Sequence, residues 1–136
     1  METIEQSSIS IRSCNEMFLK AEAEAIKQGI AISFHIVDTS GIVKFFSRMD
    51  GAPLISVDIS RKKAITAVGF GMATGEPWCN FIKDDPILKD GVNTIKDFIL
   101  LGGGMPIMKD GKLIGAIGIS GGHYTQDEAC CKKALE

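Results

Sequence analysis

The sequence of 136 residues lacks most of the features that assign a function outright. It has only two histidines, one tryptophan and one tyrosine. Neither Gly-x-Gly-x-x-Gly nor Gly-x-x-x-x-Gly-Lys-Ser/Thr occurs between a strand and a helix, which removes the two common phosphate cradles. The nucleophile elbow Gly-x-Ser-x-Gly is absent as well. The four cysteines, Cys14, Cys79, Cys130 and Cys131, form no Cys-x-x-Cys pair. The histidines form no His-x-x-x-His, so the spacing argues against zinc. Fifteen basic residues against 17 acidic ones give a formal charge of −2. Nucleic acid is therefore not an expected partner, because phosphate binding needs a concentrated basic patch. The nearest approach to one, Arg61-Lys62-Lys63, reads as a solvated helix face. No apolar run approaches the roughly 20 residues that cross a bilayer. Residues 1–10 are polar, without the apolar core of a secretory signal. The expectations are a cytoplasmic chain, no membrane partner and free thiols, with one of the adjacent Cys130 and Cys131 semi-exposed on its helix.

Glycine is abundant, at 15 residues, and concentrates between positions 102 and 122. It weakens regular structure entropically, so a glycine run beside strands marks a bend or a close approach of backbone. Around it the chain reads as one domain, residues 1–136. Ser7 or Ser8 caps a first helix whose apolar stripe is Ile11, Cys14, Phe18, Ala21 and Ala25, with Glu16 and Lys20 paired on its exposed side. Gly29 follows its end. Residues 31–37 alternate as a strand, residues 38–41 turn, and residues 42–49 return. Pro53 suits the first position of a second helix, with Leu54, Val57, Ala64, Ile65, Val68 and Met72 buried and Asp58 reaching Arg61 and Lys62. Residues 78–82 read as a short helical turn ended by Asp85-Pro86. Residues 83–98 read as a loop with one helical turn.

The second hairpin, residues 105–108 and 112–120, turns on Asp110-Gly111, among the strongest short hairpin signals. Thr125 and Glu128 form a capping box for the last helix. The fold class is α+β: a single domain with an antiparallel sheet of about five strands, the fifth at residues 98–101, flanked by helices in duplicated hairpin–helix units.

Chemistry is sparse. Gly121-Gly122 precedes a helix, whose N-terminus could hold a carboxylate or phosphate near His123 and Tyr124; the same glycines also serve a plain strand-to-helix turn. His35 and His123 are each either a ligand or a structural residue. Haem ligation needs only one axial side chain and an apolar slot, for which His35, His123, Tyr124, Met49 and Met105 are eligible.

Several separated motifs, in order, resemble one family: Arg48-Met49-Asp50-Gly51-Ala52-Pro53, Asp58-Ile59, Lys63-Ala64 to Thr66-Ala67, Gly103-Gly104-Met105-Pro106-Ile107, Ile114 to Gly122 and Gln126-Asp127-Glu128. They are similar to the GlcG/HbpS-like family, which includes the C-terminal domain of PduO-type proteins. That resemblance implies a homodimer or higher homo-oligomer and a small-molecule ligand, with haem or cobalamin as cofactor. It implies a tetrapyrrole-binding accessory, carrier or sensor protein. The alternatives are a small-molecule enzyme or accessory protein of diol, glycerol or glycolate utilisation, and a ligand-free oligomerisation module. If haem binds, His35 or His123 is the expected axial ligand. The Gly102, Gly103 and Gly104 backbone would shape the slot, and Arg48 and Lys63 would meet the propionates. Arg48 equally suits an ion pair with Asp50 or Asp58.

Overall fold

A computed structural model describes all residues from Met1 to Glu136. The first helix, α1 (Ile11–Lys27), starts at Ser10, whose hydroxyl accepts from the Ser13 N–H at 3.2 Å. The cap thus falls later than Ser7 or Ser8. Cys14, Ala21 and Ala25 are fully buried as the stripe requires, but Ile11 is exposed. Ile9 goes inward instead: its backbone N–H bonds the Ile114 carbonyl and its side chain covers Gly115. Glu16 faces Arg12, at 3.5 Å, and not Lys20.

Strands β1 (Ser33–Val37) and β2 (Val43–Arg48) form the first hairpin, and β3 (Gly104–Lys109) and β4 (Lys112–Ser120) the second. Both turns are made by the residues expected. The Asp38 carboxylate accepts from the Ser40 and Ile42 N–H groups at 2.9 and 3.1 Å. Asp110 and Gly111 take φ of 50° and 75°, the double positive φ of a type I′ turn. The hairpins join through β1 and β4 into one antiparallel sheet of order β2-β1-β4-β3. The sheet has four strands. The fifth expected at residues 98–101 does not form, because its backbone is bonded elsewhere. The Ile99 N–H goes to the Thr66 hydroxyl at 3.0 Å, and the Leu100 carbonyl accepts from Gly75 at 2.7 Å.

One face of the sheet carries α1 and the last helix, α5 (Tyr124–Leu135). Phe34, Ile36, Ile107, Ile117 and Ile119 build the main core there, and the rings of Phe18, Phe34 and Phe45 meet at 5.4 to 5.8 Å. Fully burying one such side chain contributes about 1.5–3 kcal/mol. Cys130 and Cys131 are both fully buried, against expectation. Helix α5 has two covered sides: Cys131 bonds the Gly103 carbonyl beneath it at 3.0 Å, and Cys130 joins the core shared with α1. Burial pushes the Cys130 thiol up to about 12 and Cys131 upward too, so neither is a nucleophile.

The opposite face carries α2 (Ser56–Phe70), which begins beyond Pro53 with no side-chain cap. Its buried residues are Ser56, Ser60, Lys63, Ala64, Thr66 and Ala67. Of the apolar stripe expected for this helix, only Ala64 is buried, and Leu54 is 84% exposed. The cause lies in the sheet. Gly104 and Gly118 pair across β3 and β4 directly beneath the helix. A Cβ on Gly118 would overlap the Ser60 carbonyl oxygen, and one on Gly104 the Lys63 carbonyl. The helix backbone therefore lies close on the sheet, where Ala64 and Ala67 pack on Val37 and Ala116, and hydrogen bonds make up the rest of the contact. Ser56 Oγ lies 2.8 Å from Ser33 Oγ, and Ser60 Oγ lies 2.8 Å from His35 Nδ1. Lys63 Nζ donates to the Ile119 carbonyl at 2.8 Å and to Asp127 Oδ2 at 2.9 Å. On the helix's outer side, Asp58 pairs with Arg61 and Lys62 as the spacing predicts.

Between α2 and β3 run α3 (Glu76–Ile82), α4 (Pro86–Gly91) and a 3₁₀ turn, Val92–Thr94. Asp85 opens α4 by accepting from the Leu88 N–H at 3.0 Å, so Asp85-Pro86 starts a helix there. Trp78, Ile82 and Val92 form a small separate core under Phe70 and Phe98.

Gly118→Ala is expected to lose about 3 kcal/mol in urea unfolding, since neither backbone can yield; Gly111→Ala, strained only in its own φ, should lose about 1 kcal/mol. Lys63→Met should cost about 3–5 kcal/mol by leaving Asp127 buried and unpaired, and adding Asp127→Leu should restore much of that loss. Equal losses in the single and double variants would show that the pair itself holds the helix down.

Candidate functional site

Where the N-terminal ends of α2 and α5 approach the residue 98–103 loop, two cavities adjoin, sharing Leu101 and Tyr124 as walls. The larger, about 460 Å³, lies against Leu100, Gly102, Cys79 and Glu128 and is largely apolar. The smaller, about 280 Å³, lies against Ile55, Ser56, Lys63, Ser120 and His123. Together they make one groove, floored by the end of β4 and the start of α5.

Helix α5 begins earlier than the Thr125–Glu128 spacing suggests. His123 is its cap: Nδ1 accepts from the Thr125 N–H at 3.3 Å and lies 2.8 Å from Thr125 Oγ1. Gln126 Oε1 accepts from the His123 N–H at 2.9 Å. The reciprocal cap is thus His123 with Gln126, in place of Thr125 with Glu128. The shift releases Glu128, whose half-buried carboxylate enters the larger cavity without a hydrogen bond or ion pair. Gly75 and Gly102 make room for it, since a Cβ on either would overlap the carboxylate. The His123 ring stacks on Tyr124 with centroids 4.2 Å apart, leaving Nε2 without a protein partner. With Nδ1 accepting from the Thr125 N–H, the neutral ring carries its proton on Nε2; a metal at Nε2 would require the proton to move to Nδ1, where Thr125 Oγ1 could accept it in place of the backbone bond.

The residues named from the sequence are only partly brought together. Gly102 and His123 line the groove, on either side of Tyr124. Gly103 and Gly104 lie behind it against Lys63, where Gly103 takes φ 117° and a Cβ would stand 2.9 Å from the ammonium. Lys63 is 1% exposed and bound to Asp127, so it is not available to a propionate at the surface. Arg48 is exposed on the edge strand, forms no ion pair with Asp50 or Asp58, and faces Ser33. Ser33 also faces Ser120, which places Arg48 at the groove's end of the sheet but two strands away, about 10 Å.

His35 is under α2, 7% exposed, with its ring 4.5 Å from that of Phe46. Burial, with the Arg61 charge, lowers its pKa to about 4 from 6.5. No three His, Cys, Asp or Glu side chains converge into a metal cluster. Glu128, Ser56 and Leu101 were not among the sequence candidates. Only the corrected helix start brings Glu128 out, and nothing local in the sequence distinguishes the other two.

The His35 shift has a definite sign. A histidine held neutral in the fold stabilises it above about pH 6.5, and the contribution is lost as pH falls through 4. Urea stability of the wild type should therefore fall relative to His35→Asn between pH 6.5 and 4, with a slope approaching about 1.4 kcal/mol per pH unit. A difference independent of pH would contradict the burial.

Three comparisons bear on identity. A Citrobacter freundii protein, known as an uncharacterized 15.0 kDa protein in the dhaT-dhaS intergenic region, is 31% identical over 130 residues, covering 96% of this chain and 92% of its own. The corrinoid adenosyltransferase PduO of Salmonella typhimurium strain LT2 is 30% identical over 129 residues, 94% of this chain but only 38% of that protein. A solved structure described as a PduOC:heme complex superimposes with a TM-score of 0.87 at 29% identity, covering 94% of this chain and 93% of the other. The family model for haem degrading protein HbpS-like matches residues 9–136, and the chain belongs to that HbpS-like family.

Proposed function

We propose that this protein binds haem in the groove between α2, α5 and the residue 98–103 loop, as an accessory or carrier protein. The observation that carries the reading is the apolar cavity of about 460 Å³ that opens beside an exposed histidine with a free Nε2. Haem needs an apolar slot and one axial donor, and both meet here. The HbpS-like family and the haem complex of a similar protein support the same ligand. When bound, the iron supplies ligand-binding and one-electron chemistry. The chain's own residues would position it. Leu100 and Leu101 would cover a face of the ring, Tyr124 would brace the His123 imidazole, and Thr125 Oγ1 would accept a hydrogen bond from Nδ1 when Nε2 binds the iron. His35 is the weaker candidate ligand, since α2 covers it and Ser60 holds its Nδ1. Glu128 gives the larger cavity a negative end, so the propionates would point away from it, toward the α2 and α5 N-termini with Arg48 at the rim.

Hemin titrated into the protein should shift the Soret band with saturation at a simple ratio. His123→Ala should weaken binding about tenfold or more and change the spectrum, while His35→Asn leaves both unaltered. Glu128→Gln should tighten binding a few-fold by removing a like charge. The same titration with cobalamin tests the corrinoid alternative. The absence of any Soret shift in ferric and ferrous states would overturn the reading.

A further inference from the structure

The smaller cavity contains a hydrogen-bond donor that the protein does not use. The Lys63 ammonium is held by the Ile119 carbonyl and by Asp127. It is 1% exposed and lines this cavity. Ser120 lines it too; the residue is 7% exposed and its hydroxyl bonds to nothing in the protein. The fully occluded side-chain polar atom without a partner is Trp78 Nε1, elsewhere in the molecule, so the Ser120 hydroxyl opens into the cavity. A buried hydroxyl facing a cavity without a protein partner leaves a hydrogen bond unmade, which is costly unless a ligand supplies it.

The surrounding field has a sign. The cavity lies at the N-termini of both α2 (15 residues) and α5 (12 residues), whose dipoles place partial positive charge there. Helix α2 has no side-chain cap, and the acid in its first turn, Asp58, is paired on the outer side with Arg61 and Lys62. Asp127 also faces the cavity, but both its oxygens are engaged, one by Lys63 and the other by the Gly122 N–H at 3.0 Å. The Lys63–Asp127 pair is neutral overall, so the helix ends decide the balance. A group made only of acceptors and carrying one negative charge satisfies these walls. A doubly charged group would meet Asp127.

From the unspent Ser120 hydroxyl and the converging helix ends, we infer that the smaller cavity is a carboxylate-binding site, with Ser120 Oγ as its hydrogen-bond donor. The site stands on these observations whether or not the larger cavity takes a tetrapyrrole. The carboxylate is either that of a free small organic acid or the propionate of a larger ligand seated alongside.

The test is a ¹⁵N–¹H NMR titration of the full chain with sodium acetate, at ionic strength held by sodium chloride, with orthophosphate in parallel. Saturable shifts centred on Ser56, Ser120 and Gly121, stronger with acetate than with phosphate and weakened at least about fivefold in Ser120→Ala, support the site. The absence of saturable shifts there overturns it, as do shifts that Ser120→Ala leaves unaltered. The source is read with hemin and hemin dimethyl ester. If Ser120→Ala weakens hemin but not the ester, the carboxylate is a propionate. If it affects neither while acetate binding is lost, the ligand is a free acid. Failure of hemin to bind at all leaves the acetate result standing, so the two readings fail separately.

Discussion

One ion pair ties the molecule together. Lys63 and Asp127 meet at 2.9 Å with almost no exposure, and each belongs to a different layer: α2 above the sheet, α5 below it. The lysine also bonds the Ile119 carbonyl, so the contact passes through the sheet's inner strand β4. Gly103 must lack a side chain for the ammonium to pass. Burial raises the pKa of Asp127 and the lysine opposes that shift, so the charged state of the acid depends on the contact. A buried pair of this kind adds little net stability over an apolar substitute. Its effect is positional. It fixes where the N-terminal ends of α2 and α5 stand, and the groove is the space between those ends.

The glycines that dominate the sequence serve the same arrangement. Gly104 and Gly118 seat a helix backbone directly on two strands, and Gly75 and Gly102 make room for the Glu128 carboxylate. Gly102 is the one member of the run that faces the groove, and it does so beside a side chain, Glu128, that the sequence had appeared to commit to a cap. Close approach is the right physical reading, but at Gly104 the approaching group is the protein's own second helix, and at Gly103 it is the Ile119 carbonyl with the Lys63–Asp127 pair.

This explains which parts of the sequence were legible. Hairpins with Asp and Gly at the turn, the stripe of α1 and the order of the elements follow from local chemistry, and the structure agrees. Helix α2 was misread because periodicity looks for apolar residues on the buried side. Ser56, Ser60 and Lys63 are buried because Gly104 and Gly118 of another hairpin let the helix backbone close on the sheet, where Ser33, His35, the Ile119 carbonyl and Asp127 meet them. The fifth strand failed for a similar reason: Thr66, 33 residues away, takes the Ile99 N–H that a ladder would need. The groove is harder still to see, since Leu101, Tyr124, Ser56 and Ser120 come from four separate segments. The family resemblance groups His123 and Gly102 at one slot, and the structure brings both to the groove, but no local pattern in the sequence puts them on one surface.

The small core around Trp78 has a consequence for how the groove behaves in time. Leu100 packs on that core and Leu101 follows it, so one wall of the larger cavity rests on three buried residues and a few rings, apart from the main core. Segments with few buried contacts open at lower free energy than the domain as a whole. The wall is therefore expected to open at lower free energy than the sheet and its main core. The chain's single tryptophan sits within the unit, so its fluorescence reports the opening of the binding surface separately from the unfolding of the sheet.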